Sequence, residues 1–112
     1  MIARIGYFGD LTPAQLDAQE KNGERFFPAI TSQPGIVAAF WLHGDDGRRL
    51  SVSVWESEEA LAEGSRRADG VPLLPGMRGE EIPGPEHVEI WEVNRGFLAA
   101  AQAVSPTGSP TE

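Results

Sequence analysis

Tyr7, His43 and Trp55 are the residues of this 112-residue chain best suited, by type and position, to chemistry on a small molecule. Tyr7 is the only tyrosine. Its hydroxyl suits a substrate carbonyl or phenolate, and equally a ring that packs inward with its oxygen at the surface. His43 has the side chain that titrates nearest neutral pH and would serve as a general base, with Asp45 as an orienting partner. The competing assignment is a solvated histidine at a hairpin tip, and His87, next to Glu86, faces the same choice. Trp55 offers a flat apolar wall and an indole donor to a pocket, or a seal between sheet and helix. A metal site would require His43 and His87 to converge with a carboxylate, and their spacing matches no metal-binding motif. With no cysteine, thiol nucleophiles, thiolate metal sites and disulfides are excluded.

The elements that must position these side chains are readable in order. Ile2 to Phe8 is a strand of Ile, Tyr and Phe closed by Gly9-Asp10, apolar on both faces. Thr12-Pro13 with Gln15 is a capping box with proline in the first turn, so a helix starts there. That helix carries Leu16, Gly23, Phe26, Phe27 and Ile30 on one side; Pro28 is expected to bend its last turn and Pro34-Gly35 to stop it. Ile36 to His43 is a second strand. Gly44-Asp45-Asp46-Gly47 reverses the chain, with Asp and Gly expected to take the positive φ of a hairpin. Arg49 to Trp55 returns with a period of two. Ser57 caps a second helix with Glu58 and Glu59 at its positive end, Arg66 and Arg67 at its negative end and Gly70 just beyond. From Gly70 to Pro85 the chain is dense in glycine and proline, and Leu73, Leu74 and Met77 require it to lie against the body. His87 to Val93 is a last strand. A short Ala-rich helix is expected over 96–104, and 105–112 reads as a disordered tail.

Strand, helix, strand, strand, helix, strand is the ferredoxin-like βαββαβ plan of an α+β domain, an antiparallel sheet with both helices on one face. The domain spans 1–104. Strand alternation points Trp41 or Phe40, and Trp91 or Ile90, at the other face. One helix layer cannot cover two faces, so a second copy is expected there and the protein should be a homodimer.

Composition narrows the function classes. An apolar fraction of 40% and a charged fraction of 23% belong to a globular domain. A formal charge of −8 with only nine basic residues argues against nucleic acid, because Arg48-Arg49 and Arg66-Arg67 are isolated pairs. No apolar run approaches the roughly 20 residues of a membrane span, and the first residues do not have the pattern of a secretory leader. The expected location is the cytoplasm.

Three segments carry a resemblance to a known family: Pro34-Gly35-Ile36 opening the second strand, Val54-Trp55-Glu56-Ser57-Glu58-Glu59-Ala60-Leu61, and Val88-Glu89-Ile90-Trp91-Glu92-Val93. Together they resemble the antibiotic-biosynthesis-monooxygenase group of the dimeric α+β barrel superfamily. The resemblance implies a dimeric barrel and cofactor-free oxidation of an aromatic or polyketide-like molecule, in which the anion of an electron-rich phenol reduces dioxygen directly. The protein would then supply orientation, a base or hydrogen-bond partners, and exclusion of water. No cofactor and no metal are expected. The resemblance places the pocket between helices and sheet, with Tyr7, His43 and Trp55 as catalytic candidates and Phe26, Phe27, Ile30, Leu74 and Trp91 as its lining. The alternative is a non-catalytic, ligand-binding or stress-related dimer with the same pocket. Haem-degrading relatives share the tryptophan but carry an Asn in the first strand and an iron-ligating His in the second helix. Here that helix has no His, and Ser65 stands about where the ligand would fall.

Overall fold

The computed structural model describes residues 1–99. Its elements are β1 (Ile2–Phe8), α1 (Pro13–Thr31), β2 (Ile36–His43), β3 (Arg49–Trp55), α2 (Glu58–Asp69), a 3-10 turn (Gly79–Glu81) and β4 (His87–Glu92). The strands form one antiparallel sheet in the order β2-β3-β1-β4. This is the ferredoxin-like α+β plan expected from the element order.

Local chemistry sets the helix ends. Thr12 Oγ1 accepts from the Gln15 backbone N–H (3.2 Å), and Gln15 Oε1 accepts from the Thr12 N–H (2.9 Å), so the capping box is complete. Ser57 Oγ accepts from the Ala60 N–H (3.1 Å) at the start of α2. Pro28 does not end α1, which continues to Thr31. The Thr31 hydroxyl donates to the Phe27 carbonyl (2.8 Å), satisfying an acceptor in the last turn. In the β2–β3 hairpin only Gly47 takes a positive φ (85°), and neither aspartate does. Asp46 acts through its side chain instead, accepting from the Arg48 N–H (3.1 Å). The last strand stops at Glu92, and Gly96 to Ala99 are not helical, which removes the expected first turn of a terminal helix. The rest of that expectation and the expected disordered tail lie outside the described residues.

Register sorts every strand residue to a face. Trp55 pairs with Ile2 and Ile36, and it packs with Ile30 of α1 and Ala68 of α2. Ser53, Ser51, Arg4, Gly6, Ala39 and Trp41 follow by alternation on this helix-covered face. The opposite face carries Ala3, Ile5 and Tyr7 of β1, Leu50, Val52 and Val54 of β3, Ala38, Phe40 and Leu42 of β2, and Trp91 of β4. The two open choices are thereby settled. Phe40 and Trp91 point to the uncovered face, and Trp41 and Ile90 to the helix side.

Among the described residues only Ile30, Trp55 and Ala68 form a fully buried apolar core. Trp55 is 0% exposed, whereas Phe40 and Trp91 are 49% and 56% exposed. Gly64 makes the tryptophan fit: a Cβ there would lie within 3.0 Å of two carbons of the indole. Gly35, at φ 83°, passes Ala60 so closely that a Cβ would come to 2.6 Å from the Ala60 Cβ. No helix among the described residues is long and apolar enough to cross a membrane.

Candidate functional site

The principal cavity lies between α1, the helix-covered face of the sheet and the segment before β4, with a volume of about 360 Å³. Its floor is strand residues Arg4, Ala39, Ser51 and Ser53, and its α1 wall includes Gln19, Asn22, Phe26 and Ile30. Gly79, Ile82, Pro83, Gly84 and Pro85 close one side, so the Gly- and Pro-rich segment lies against the body and borders the cavity. That volume falls in the range of small-molecule sites, roughly 300–1,000 Å³.

One arginine holds this wall together. Arg25 donates to the carbonyls of Val71 (2.6 Å from Nη2) and Asp69 (2.9 Å), and to Asn22 Oδ1 (2.8 Å). It therefore joins α1 to the C-terminal end of α2, where unsatisfied carbonyls favour a cation. Arg4 differs. It enters the cavity floor half-buried from a central strand, and among the described residues it has no ion pair and no side-chain hydrogen bond.

The residues singled out from sequence are spread over several places. Phe26 and Ile30 line the principal cavity. Phe27 turns its ring edge to Trp41, with centroids 4.8 Å apart, and Leu74 is half-buried; neither lines the cavity. Trp91 is on the opposite face of the sheet. Trp55 is enclosed between sheet and helices; its Nε1–H is buried without an acceptor among the described residues. Its surroundings are those of a core residue.

Tyr7 and His43 border a second, smaller cleft near the β2–β3 hairpin, with Leu42, Arg49 and Leu50. His43 accepts a hydrogen bond on Nε2 from Arg49 (2.7 Å), which occupies the lone pair a base would use. The Tyr7 hydroxyl donates to Glu89 Oε1 (2.8 Å), which also accepts from Trp91 Nε1 (3.2 Å), while His87 Nε2 lies 3.2 Å from Glu89 Oε2. These bonds hold the Glu89 carboxyl below its usual range, the Tyr7 hydroxyl contributing most. The same bond raises the Tyr7 phenol above its usual value, so Tyr7 is a weaker acid than a free tyrosine and a donor at neutral pH. Tyr7, His43 and Trp55 do not share one cavity.

Arg4 and Gly64 carry weight that the sequence reading missed. Each had a visible signal: a lone charge in a strand apolar on both faces, and a glycine in the middle of an otherwise strong helix.

Haem finds no fitting ligands here. α2 has no histidine, and its face at Gly64 is filled by the Trp55 ring. His43 and His87 lie away from the principal cavity, and no three metal-binding side chains cluster among the described residues.

No family model matches the chain, and no curated protein matches it. Solved structures do. A variant of MhuD, a haem degrader from Mycobacterium tuberculosis, carries two manganese protoporphyrin IX molecules per active site. It is 20% identical over 88% of this chain and 100% of its own, with a TM-score of 0.67. The ActVA-Orf6 monooxygenase of Streptomyces coelicolor, in complex with nanaomycin D, is 20% identical over 88% of this chain and 91% of its own (TM-score 0.50). SnoaB, a cofactor-independent oxygenase from Streptomyces nogalater, is 18% identical over 88% and 94% (TM-score 0.50). The chain thus has the ferredoxin-like α+β fold shared by a haem degrader and two Streptomyces oxygenases, the fold that its resemblance to the antibiotic-biosynthesis-monooxygenase group implies.

Proposed function

We propose that this protein is a homodimeric, monooxygenase-like protein that binds an aromatic small molecule between α1 and the sheet and oxidises it with dioxygen, without a cofactor. The observation that carries this reading is the cavity of about 360 Å³ bounded by Phe26, Ile30 and Trp41 on a strand floor. Its position agrees with the pocket that the resemblance implies, and nanaomycin D in the ActVA-Orf6 structure supports an aromatic occupant. In the reaction a phenol loses its proton, the anion reduces dioxygen, and oxygen joins the ring as a hydroperoxide that loses water to give a quinone. The cavity walls orient the ring and keep water from the reacting carbon.

The homodimer is supported by the uncovered sheet face. Phe40, Leu42 and Trp91 stand exposed on it beside Val52 and Val54, and the three buried apolar side chains among the described residues are a small core for a domain of this size. A second copy placed face to face would cover this surface and close the two sheets into one barrel. Sedimentation at micromolar concentration is expected to give a dimer and, for Phe40→Asp, a monomer. A wild-type monomer refutes the assembly.

One observation favours the binding-only alternative: neither histidine and no tyrosine lines the principal cavity. Thermal shift and oxygen uptake with a panel of naphthols and anthrones separate the two readings. A raised melting temperature with oxygen consumption supports oxygenation, and a raised melting temperature without it supports the binding protein. Neither signal refutes both.

A further inference from the structure

The floor of the principal cavity holds a cation and two hydroxyls with no described use. Arg4 is paired directly across the sheet with Ser53, and Gly6, two residues on, is paired with Ser51. All four lie on the helix-covered face by alternation. The space above Gly6 is where these groups meet. A Cβ built there would come to 2.7 Å from Ser51 Oγ, 3.4 Å from Arg4 Nη1 and 3.4 Å from the Pro85 Cβ. Ser51 Oγ and the Arg4 guanidinium crowd the corner that glycine leaves, so the hydroxyl and the cation converge there. Among the described residues, Arg4, Ser51 and Ser53 make no side-chain hydrogen bond, although the chain has 17 acidic residues and a net charge of −8. The other arginine of the cavity, Arg25, is engaged with backbone carbonyls and with Asn22 Oδ1.

A half-buried guanidinium loses hydration and gains most from an anion that can take two of its donors side by side. Apolar surface from Phe26, Ile30 and Trp41 faces the same space. We infer that Arg4, with Ser51 and Ser53, is the anion-recognition end of the cavity, and that the ligand is an aromatic oxyanion, a carboxylate or phenolate on a planar ring system. This rests on the cavity being the ligand site and narrows its ligand class. It also answers the missing base. A phenol bound against Arg4 releases its proton to water, because the adjacent positive charge favours the phenolate, typically by one to three pKa units.

The test uses two probes of one shape, 2-naphthoate and its neutral methyl ester, titrated calorimetrically into the full chain, wild type and Arg4→Gln, with circular dichroism confirming the fold. Wild type is expected to bind the carboxylate about tenfold or more tightly than the ester, a preference that Arg4→Gln abolishes and added salt weakens. Arg4→Lys, which keeps the charge but loses the fork, is expected to fall between them. If Arg4→Gln does not fold, Ser53→Ala with Arg4→Lys reads the same preference. Equal affinity for ester and carboxylate in wild type overturns the anion site while leaving the cavity as the ligand site. Failure of both probes to bind overturns the two together.

Discussion

Replacing Gly64 with alanine tests the packing on which the whole helix layer depends. Gly64 lies in the middle of α2, where alanine is ordinarily preferred to glycine by about 1 kcal/mol. Here the added methyl would sit within 3.0 Å of Cη2 and Cζ3 of a tryptophan that is 0% exposed. The ring cannot swing into solvent, since Ile30 and Ala68 pack around it, so α2 or the indole must move. Overpacking typically costs about 1–3 kcal/mol, and a Cβ under 3.0 Å from two carbons of an enclosed ring belongs in the upper part of that range, about 2–3 kcal/mol, which exceeds the propensity gain. The expected net effect is a loss of about 1–2 kcal/mol. For a domain of this size that corresponds to roughly 4–12 °C in Tm. Gly23→Ala is the control: Gly23 is also interior to a helix, but a Cβ there meets nothing within 4 Å, so the substitution should stabilise by about 0.5–1 kcal/mol. Urea unfolding at one fixed protein concentration reads both, and Trp55→Phe combined with Gly64→Ala should recover part of the loss. A Gly64→Ala protein as stable as the Gly23→Ala protein would refute the claim that Trp55 occupies the space glycine leaves.

Three further outcomes are expected. Thr12→Ala removes one half of the capping box and should lower stability by about 1 kcal/mol in the same urea assay. Arg25→Ala releases the carbonyls of Asp69 and Val71; a loss of about 1–2 kcal/mol and faster proteolysis within 70–85 are expected, and unchanged cleavage would count against Arg25 as the tie. The Tyr7–Glu89 bond needs a protonated phenol and an ionised carboxylate, which raises one pKa and lowers the other. Its contribution to stability is therefore lost as pH rises from about 10 through the raised phenol value, and as pH falls from the ordinary glutamate range through the lowered Glu89 value. Tyr7 is the sole tyrosine, so tyrosinate absorbance of the folded protein should titrate above 10, and Glu89→Gln should bring it down.

Much of the fold was legible because its signals are local. The capping box at Thr12, the period of two in Arg49–Trp55 and the glycine-flanked hairpin each act within a few residues, and β1, β2 and β3 appear where those signals place them. Errors fell at the C-terminal end, where local signals are weakest. The last strand stops at Glu92 rather than Val93. An Ala-rich segment does not begin a helix at Gly96.

The sequence by itself determined the element order and the α+β class, since alternation and capping depend only on near neighbours along the chain. It also named Phe26 and Ile30 for the cavity, as a helix stripe must face the sheet. Only the tertiary structure decided which face each strand residue takes, because shifting the register by one residue exchanges the two faces. That choice sends Tyr7 to Glu89 on the uncovered side and buries Trp55 against Gly64. It also brings Arg4, a single charge with no motif around it, to the floor of the cavity beside Ser51 and Ser53. Tyr7 and Glu89, like Arg4 and Ser51, are separated by tens of residues in the chain and become neighbours only through strand pairing.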